Sequence, residues 1–305
     1  MLELLQKAPL CVVNLANNHI MDFGPEALER TLALLKEKVI HAIGAGRTIS
    51  QARQELILSC KGKRIAFLAF TSDEPHVKAV IAGPDTPGCA SFSDFNEVLR
   101  RVRSAKSQAD IVCVSLHWGY EFHSFPAPEQ VALAHQIAEA GATYIIGHHP
   151  HVLQGVETFK KSLIMYSLGN FFFPSLLSIN GRLQPSKAIS REYMILKSEI
   201  DDSLNIKSVI KGGRVSANYG IVSYSGAKLR QFEKKIQFLS APLSGQDYGS
   251  FWINYKNQRS RELLKESMME ALHKLWFMPK GELLRTIRLS DFRRNFIRLY
   301  RILHK

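Results

Sequence analysis

Two rhythms of apolar and polar positions alternate along the first part of the chain. Short, nearly unbroken apolar runs have the length and turn-bounded edges of buried strands: "LCVVNLA" (10–16), "KRIAFLAFT" (63–71) and "ADIVCVSLHWG" (109–119). "TYIIGHHPH" (143–151) predicts a strand followed by a loop, and "SLIMYSLGNFFF" (162–173) a strand followed by a turn. Between these runs lie segments of helical period. "PEALERTLALLKEK" (25–38) carries Pro25 in its first turn and Leu28, Leu32 and Leu35 on one face. "FSDFNEVLRRVRSAK" (92–106) opens on a Ser/Asp cap, and "PEQVALAHQIAEAG" (128–141) stops at Gly141. Strands alternating with helices predict an α/β fold.

The character changes after Pro174. "LLSINGRLQPSKAIS" (176–190) predicts a loop, and "REYMILKSEI" (191–200) with "LNIKSVIKG" (204–212) predicts two paired strands. Beyond about residue 245 the pattern is helical. "RELLKESMMEALHKLWF" (261–277) sets Leu264, Met268, Leu272 and Leu275 on one stripe. "SDFRRNFIRLYRILHK" (290–305) sets Phe292, Phe296, Leu299 and Leu303 opposite a row of arginines, a face suited to covering a core or to lying on an anionic membrane. The expected division is a domain over 1–245 and a helical basic extension over 246–305.

Charge sharpens this division. The chain carries 40 Lys/Arg against 27 Asp/Glu, a net +13. Residues 251–305 hold 13 of the basic and 5 of the acidic side chains, so they contribute +8. Such a balance attracts a polyanion: phospholipid, nucleic acid or an acidic polymer. No nucleic-acid module accompanies the charge, which argues against that partner. No apolar run reaches the ~18–20 residues that span a bilayer. Cys11, Cys60, Cys89 and Cys113 show no paired spacing and are expected as unpaired thiols, with Cys11 and Cys113 buried in apolar runs.

Chemistry gathers where strands end. "NLANNHIMD", "SLHWGYE" and "IIGHHPH" all place polar side chains just past an apolar run, at the sheet edge where α/β proteins bind ligands. Asn17, Asn18, His19 and Asp22 are thereby expected to meet His117, Glu121, His148, His149 and His151. Three histidines within four positions, stiffened by Pro150, have few structural uses; imidazole and oxygen donors together suit Zn, Mn or Fe.

At this point a resemblance becomes specific. "NLANNHIMDFGPEALERTLALLKEKVIHAIGAG", "ADIVCVSLHWGYEF", "AGATYIIGHHPHVLQGVE" and "IMYSLGNFFF" resemble, in order and interval, the successive motifs of the CapA family, bacterial capsule-synthesis proteins associated with poly-γ-glutamate. The resemblance covers roughly residues 8–175 and implies a metallophosphoesterase-like two-sheet sandwich flanked by helices, with divalent metal at the strand ends. It implies Asn18, His117, His149 and His151 as metal ligands, and His19 as an acid or a stabiliser of developing charge. Asn17, Asp22, His148, Glu121 and Asn170 fall in the family motifs and are expected around the site. Family members also carry a Gly-Asp strand and an Asn-Leu-Glu segment ahead of the "ANNH" motif; this chain resembles a member lacking that first unit, which leaves one metal or two as alternatives. Location is left open between cytoplasmic, for the chain as written, and membrane-associated or exported, for a chain with an upstream segment. The implied activity is metal-dependent hydrolysis of a phosphoester or a glutamyl amide in poly-γ-glutamate capsule biosynthesis or export. The implied partners are that polymer and capsule-assembly proteins, with peripheral membrane contact through the last helix. The alternatives are an accessory protein that binds polyanions without turnover, or an inactive fragment.

Overall fold

The computed structural model describes residues 11–173, 176–177, 183–184, 188–216 and 218–276. In chain order the elements are β1 (Val12–Asn14), α1 (Gly24–Glu37), β2 (His41–Ile43), β3 (Ala45–Gly46), α2 (Ile49–Ala52), β4 (Leu56–Cys60), β5 (Lys63–Thr71), β6 (Gly88–Cys89) and α3 (Phe95–Gln108). There follow β7 (Ile111–His117), α4 (Pro128–Glu139), β8 (Tyr144–His148), β9 (Val156–Phe159), β10 (Ser162–Met165), β11 (Leu176–Leu177) and β12 (Leu183–Gln184). The remainder are β13 (Glu192–Ile200), β14 (Ile206–Val215), β15 (Ile221–Ser223), α5 (Gly226–Ser240) and α6 (Tyr248–Trp276). Contacts divide the chain into two compact units, Met1–Tyr248 and Gly249–Lys305.

The first unit is mixed α/β, with sheets flanked by helices. A six-stranded sheet runs in the order β4-β5-β7-β8-β10-β9. Its four inner strands are parallel, and β4 and β9 close the edges antiparallel. Parallel inner strands are covered on both faces, which is why β5 and β7 read as apolar runs rather than alternating ones. On one face α3 and α4 lay down Val98, Leu99, Val102 and Ala105, and Val131, Ala134, Ile137 and Ala138. Full burial of each larger aliphatic side chain contributes about 1.5–3 kcal/mol. A parallel β1–β2 pair packs Val12, Ala16 and Ile43 on Phe67 and Ala69 of β5. The antiparallel sheet β13-β14-β15 is joined to the strand-end region by Met194 N–H donating to the Leu168 carbonyl at 2.9 Å.

Capping follows the local chemistry. Asp94 accepts from the Glu97 N–H at 3.2 Å and starts α3. Gly141 takes φ +112 just past the end of α4, the left-handed geometry that stops a helix without Cβ strain.

Several expectations change. The segment over 176–190 contains the short antiparallel pair β11–β12 instead of a continuous loop. Helical structure resumes at α5, ahead of residue 245, and the helix expected over 261–277 belongs to the longer α6. The helix expected over 290–305 lies outside the described residues. Cys11 is exposed, not buried: it lies just ahead of β1, which among the described residues pairs with β2 alone. Cys113 is half-buried, Cys89 buried and Cys60 exposed, and these three thiols are free. No helix among the described residues is long and apolar enough to cross a membrane.

Candidate metal centre

Sheet register delivers the site. β7 and β8 are parallel neighbours with His117 opposite His148, so both strands release their chains at the same edge. The β1 strand ends close by and turns at once. The Asn14 side chain accepts from the Ala16 N–H at 2.7 Å and the Asn17 side chain from the His19 N–H at 2.8 Å. These two Asx turns fold "NLANNH" back on itself, and Asn17 is thereby committed to the backbone. Asn18 is left to face β7, with Oδ1 2.9 Å from His117 Nε2.

Gly147 is needed where it stands. A Cβ there would lie 1.8 Å from the Tyr166 carbonyl oxygen and 2.6 Å from Trp118 Nε1, which donates to that same carbonyl at 3.1 Å. Past His148 the loop bends sharply: His149 takes φ +95 and His151 φ +58, on either side of Pro150. Left-handed backbone at non-glycine residues is uncommon, and two such residues around one proline mark a strained loop. The Phe122 N–H donates to the Pro150 carbonyl at 2.8 Å, tying the turn after β7 to this bend.

The result is convergence. The rings of His117 and His149 are 4.8 Å apart between centroids, and those of His149 and His151 are 6.2 Å apart. One donor atom each from Glu121, His149 and His151 falls within 4.8 Å of the others. Asn170 sits behind His151. Its Oδ1 lies 2.9 Å from His151 Nδ1 and accepts that N–H, while its Nδ2 donates to the Ser190 carbonyl at 3.0 Å. This fixes the tautomer of His151 and leaves Nε2 as an electron-pair donor. His19 lies on the open side, with Nδ1 2.7 Å from Asp22 and Nε2 3.3 Å from the Asn18 amide. His148, by contrast, points to Ser115 at 3.4 Å and does not join the Glu121–His149–His151 group.

Electrostatics suit cation binding. Burial pushes His117 down to about 2, with His149 and the other neighbouring imidazoles adding to the shift. Burial likewise pushes His149 down to about 3, helped by His151, and His148 down to about 4. His117 and His149 are therefore neutral at ordinary pH, the form in which imidazole binds metal. The decisive observation concerns His149: both its ring nitrogens are buried and neither has a hydrogen-bond partner among the described residues. A buried polar atom without a partner costs about 1–3 kcal/mol, and a cation removes that cost. The donor set, imidazole nitrogens with carboxylate and amide oxygens, suits a divalent transition metal.

Sequence reasoning left Glu121 without a role and missed His76. The His76 Nε2 donates to the Gly119 carbonyl at 3.0 Å, and its ring stacks on Tyr120 at 4.4 Å. It thus braces the turn that carries Glu121, and a lone histidine in "DEPHV" gave no signal of this.

The family profile described as bacterial capsule synthesis protein PGA_cap matches residues 1–175. The capsule biosynthesis protein CapA of Bacillus anthracis is 38% identical over 173 residues, covering 55% of this chain and 41% of that protein. The PGA biosynthesis protein CapA of Bacillus subtilis is 37% identical over 172 residues, covering 56% and 44%. The chain thus spans less than half the length of these curated relatives. Among solved structures, a 5'-nucleotidase from Candida albicans is similar at 10% identity and a TM-score of 0.40, covering 85% of this chain and 44% of that one.

Proposed function

The chain belongs to the bacterial capsule synthesis protein PGA_cap family, and from that premise we propose that its strand-end site is a divalent-cation-dependent hydrolytic centre serving poly-γ-glutamate capsule biosynthesis. The observation that carries this reading is the buried, unpartnered His149 set between His117 and His151, with Glu121 in reach.

In this proposal Asn18, His117, Glu121, His149 and His151 hold the cation, with Mn, Fe or Zn as the fitting identities. A bound cation supplies Lewis acidity and an acidified water. The protein does the rest. Asp22 accepts from His19 Nδ1 and holds that ring with Nε2 toward Asn18, on the solvent-open side where a leaving group departs. Once Nε2 has taken up a proton in place of the Asn18 N–H it accepts, His19 is the general acid. Asn170 keeps His151 in its donor tautomer, and the Gly147 close approach sets the loop's height above the sheet. The scissile bond is a phosphoester or a glutamyl amide, and the polymer and its assembly proteins are the proposed partners. Peripheral membrane contact through residues 290–305 belongs to the same proposal.

The test has two readouts. Metal content after loading with Mn²⁺ is expected near stoichiometric in the wild type and strongly reduced in His149→Ala. Turnover of a generic phosphodiester and shortening of poly-γ-glutamate are then followed in the loaded protein. Stoichiometric metal with neither activity would favour the alternative class, a polymer-binding accessory protein. Metal uptake unaffected by His149→Ala would overturn the site itself.

A further inference from the structure

A cavity away from the histidines lies between β13–β15 and α5. Its volume is about 240 Å³, and it is lined by Glu192, Arg214, Tyr224, Lys228, Phe232 and Lys235, with Gln231 completing the wall. Two regularities build it. Glu192 and Arg214 are direct cross-strand partners of β13 and β14, so their side chains share one face of the sheet. Lys228, Gln231 and Lys235 fall at i, i+3 and i+7 on α5, one stripe of the helix. Gly212, on the same face as Arg214, makes room for the aromatic floor: a Cβ there would strike the Phe232 ring at 2.5 Å.

The charges in this cavity do not balance. Glu192 pairs with Lys235 and accepts from the Tyr224 hydroxyl at 3.1 Å. Arg214 and Lys228 enter no ion pair among the described residues. Two unpaired cations therefore face a cavity that also holds one carboxylate. An amide-linked carboxylate satisfies both parts: its anion meets Arg214 and Lys228, and its N–H meets the remaining acceptor capacity of Glu192. The cavity is also smaller than the ~300–1,000 Å³ typical of drug-sized ligands, which suits a single repeat of a polymer better than a nucleotide.

We propose that this cavity is a subsite for one glutamyl unit of an amide-linked polycarboxylate, gripping the chain at a distance from the centre that hydrolyses it. The assignment rests on the capsule-polymer reading above. It also has a physical route to the histidine site: the Glu192 backbone carbonyl accepts from the Asn170 N–H at 3.1 Å, and Asn170 orients His151.

The experiment is calorimetric titration of the full chain with a short γ-linked glutamyl oligomer, for the wild type, Arg214→Gln and Lys228→Gln. Inorganic polyphosphate is the competing probe, and bound Mn²⁺ is measured in parallel. The expected result is saturable oligomer binding weakened roughly tenfold or more by either substitution, with Mn²⁺ content unchanged. Oligomer binding equal in all three proteins would overturn the subsite, as would a wild type that binds no oligomer. Polyphosphate binding that is tighter and equally sensitive to both substitutions would overturn the carboxylate-amide assignment. Loss of Mn²⁺ binding with the oligomer results intact would sink the hydrolytic centre and leave the subsite standing.

Discussion

Replacing Asn170 by alanine separates a metal-orienting role from a merely structural one. Asn170 is buried, 8% exposed, and its side chain makes two hydrogen bonds, to His151 Nδ1 at 2.9 Å and to the Ser190 carbonyl at 3.0 Å. Each such bond contributes about 0.5–1.5 kcal/mol net. The two bonds together give an expected loss of about 1–3 kcal/mol, and in a unit of this size each kcal/mol lowers Tm by about 2–4 °C. His151 would also lose the acceptor that fixes its tautomer. Removing such a partner weakens metal binding about 10–100-fold, or about 1.4–2.7 kcal/mol. Asn170→Asp retains an oxygen acceptor for the His151 N–H while removing the donor to Ser190. Thermal melts in the presence of chelator and Mn²⁺ titration of the three proteins give the two axes. The expectation is that both variants melt early, and that metal affinity falls only in the alanine variant. If Asn170→Ala melts early yet binds Mn²⁺ as tightly as the wild type, the reasoning that ties Asn170 to a liganding His151 is refuted.

Three further outcomes follow from the same structure. Gly147→Ala forces a Cβ into the Tyr166 carbonyl, a contact that backbone must move to relieve; a loss of several kcal/mol of stability is expected by denaturant titration, and a midpoint within about 0.5 kcal/mol of the wild type would contradict it. Stability of the metal-free protein will fall with acid: His117 and His149 have folded pKa values near 2 and 3, below the ordinary ~6.5, so below pH ~6.5 the unfolded chain binds protons that the folded chain refuses. Full stability is present above pH ~6.5 and declines by up to about 1.4 kcal/mol per pH unit for each ring; chelator-treated melts from pH 8 to 5 check this, and a flat profile counts against burial of the neutral rings. Thiol labelling at pH 8 will modify the exposed Cys60 quickly and spare Cys89 and Cys113 until unfolding, because burial raises their thiols to about 11 and 12; rapid labelling of Cys113 would be the contrary result.

Much of the fold was legible wherever a side-chain pattern is dictated by local burial. The run "KRIAFLAFT" predicts 63–71, and β5 occupies those residues. "PEALERTLALLKEK" predicts 25–38 against α1 at Gly24–Glu37, because Pro25 and the leucine stripe mark both the start and the buried face. The segments over 191–200 and 204–212 predict paired strands, and β13 and β14 pair antiparallel along nine residues of β13, from Glu192 to Ile200. α5 was not legible. Its buried residues Phe232 and Leu239 are sparse among lysines and glutamines, and no side chain caps its start. The site divides in the same way. The strand ends announced His117 and the "HHPH" loop, but the place of Glu121 depends on Phe122 bonding to Pro150 and on His76 beneath Tyr120. Those are contacts between distant segments that periodicity does not encode. The place of His148 was not legible either: β7 and β8 pair it with His117 on one face, and only the fold shows its ring reaching Ser115.

The two left-handed histidines flanking Pro150 have a consequence for how an ion is taken up. The Phe122 N–H bonded to the Pro150 carbonyl ties this unfavourable backbone geometry to the 119–122 turn, so the polypeptide itself sustains it. Donors preset in this way predict an uptake limited by stripping water from the incoming ion rather than by rearranging the chain.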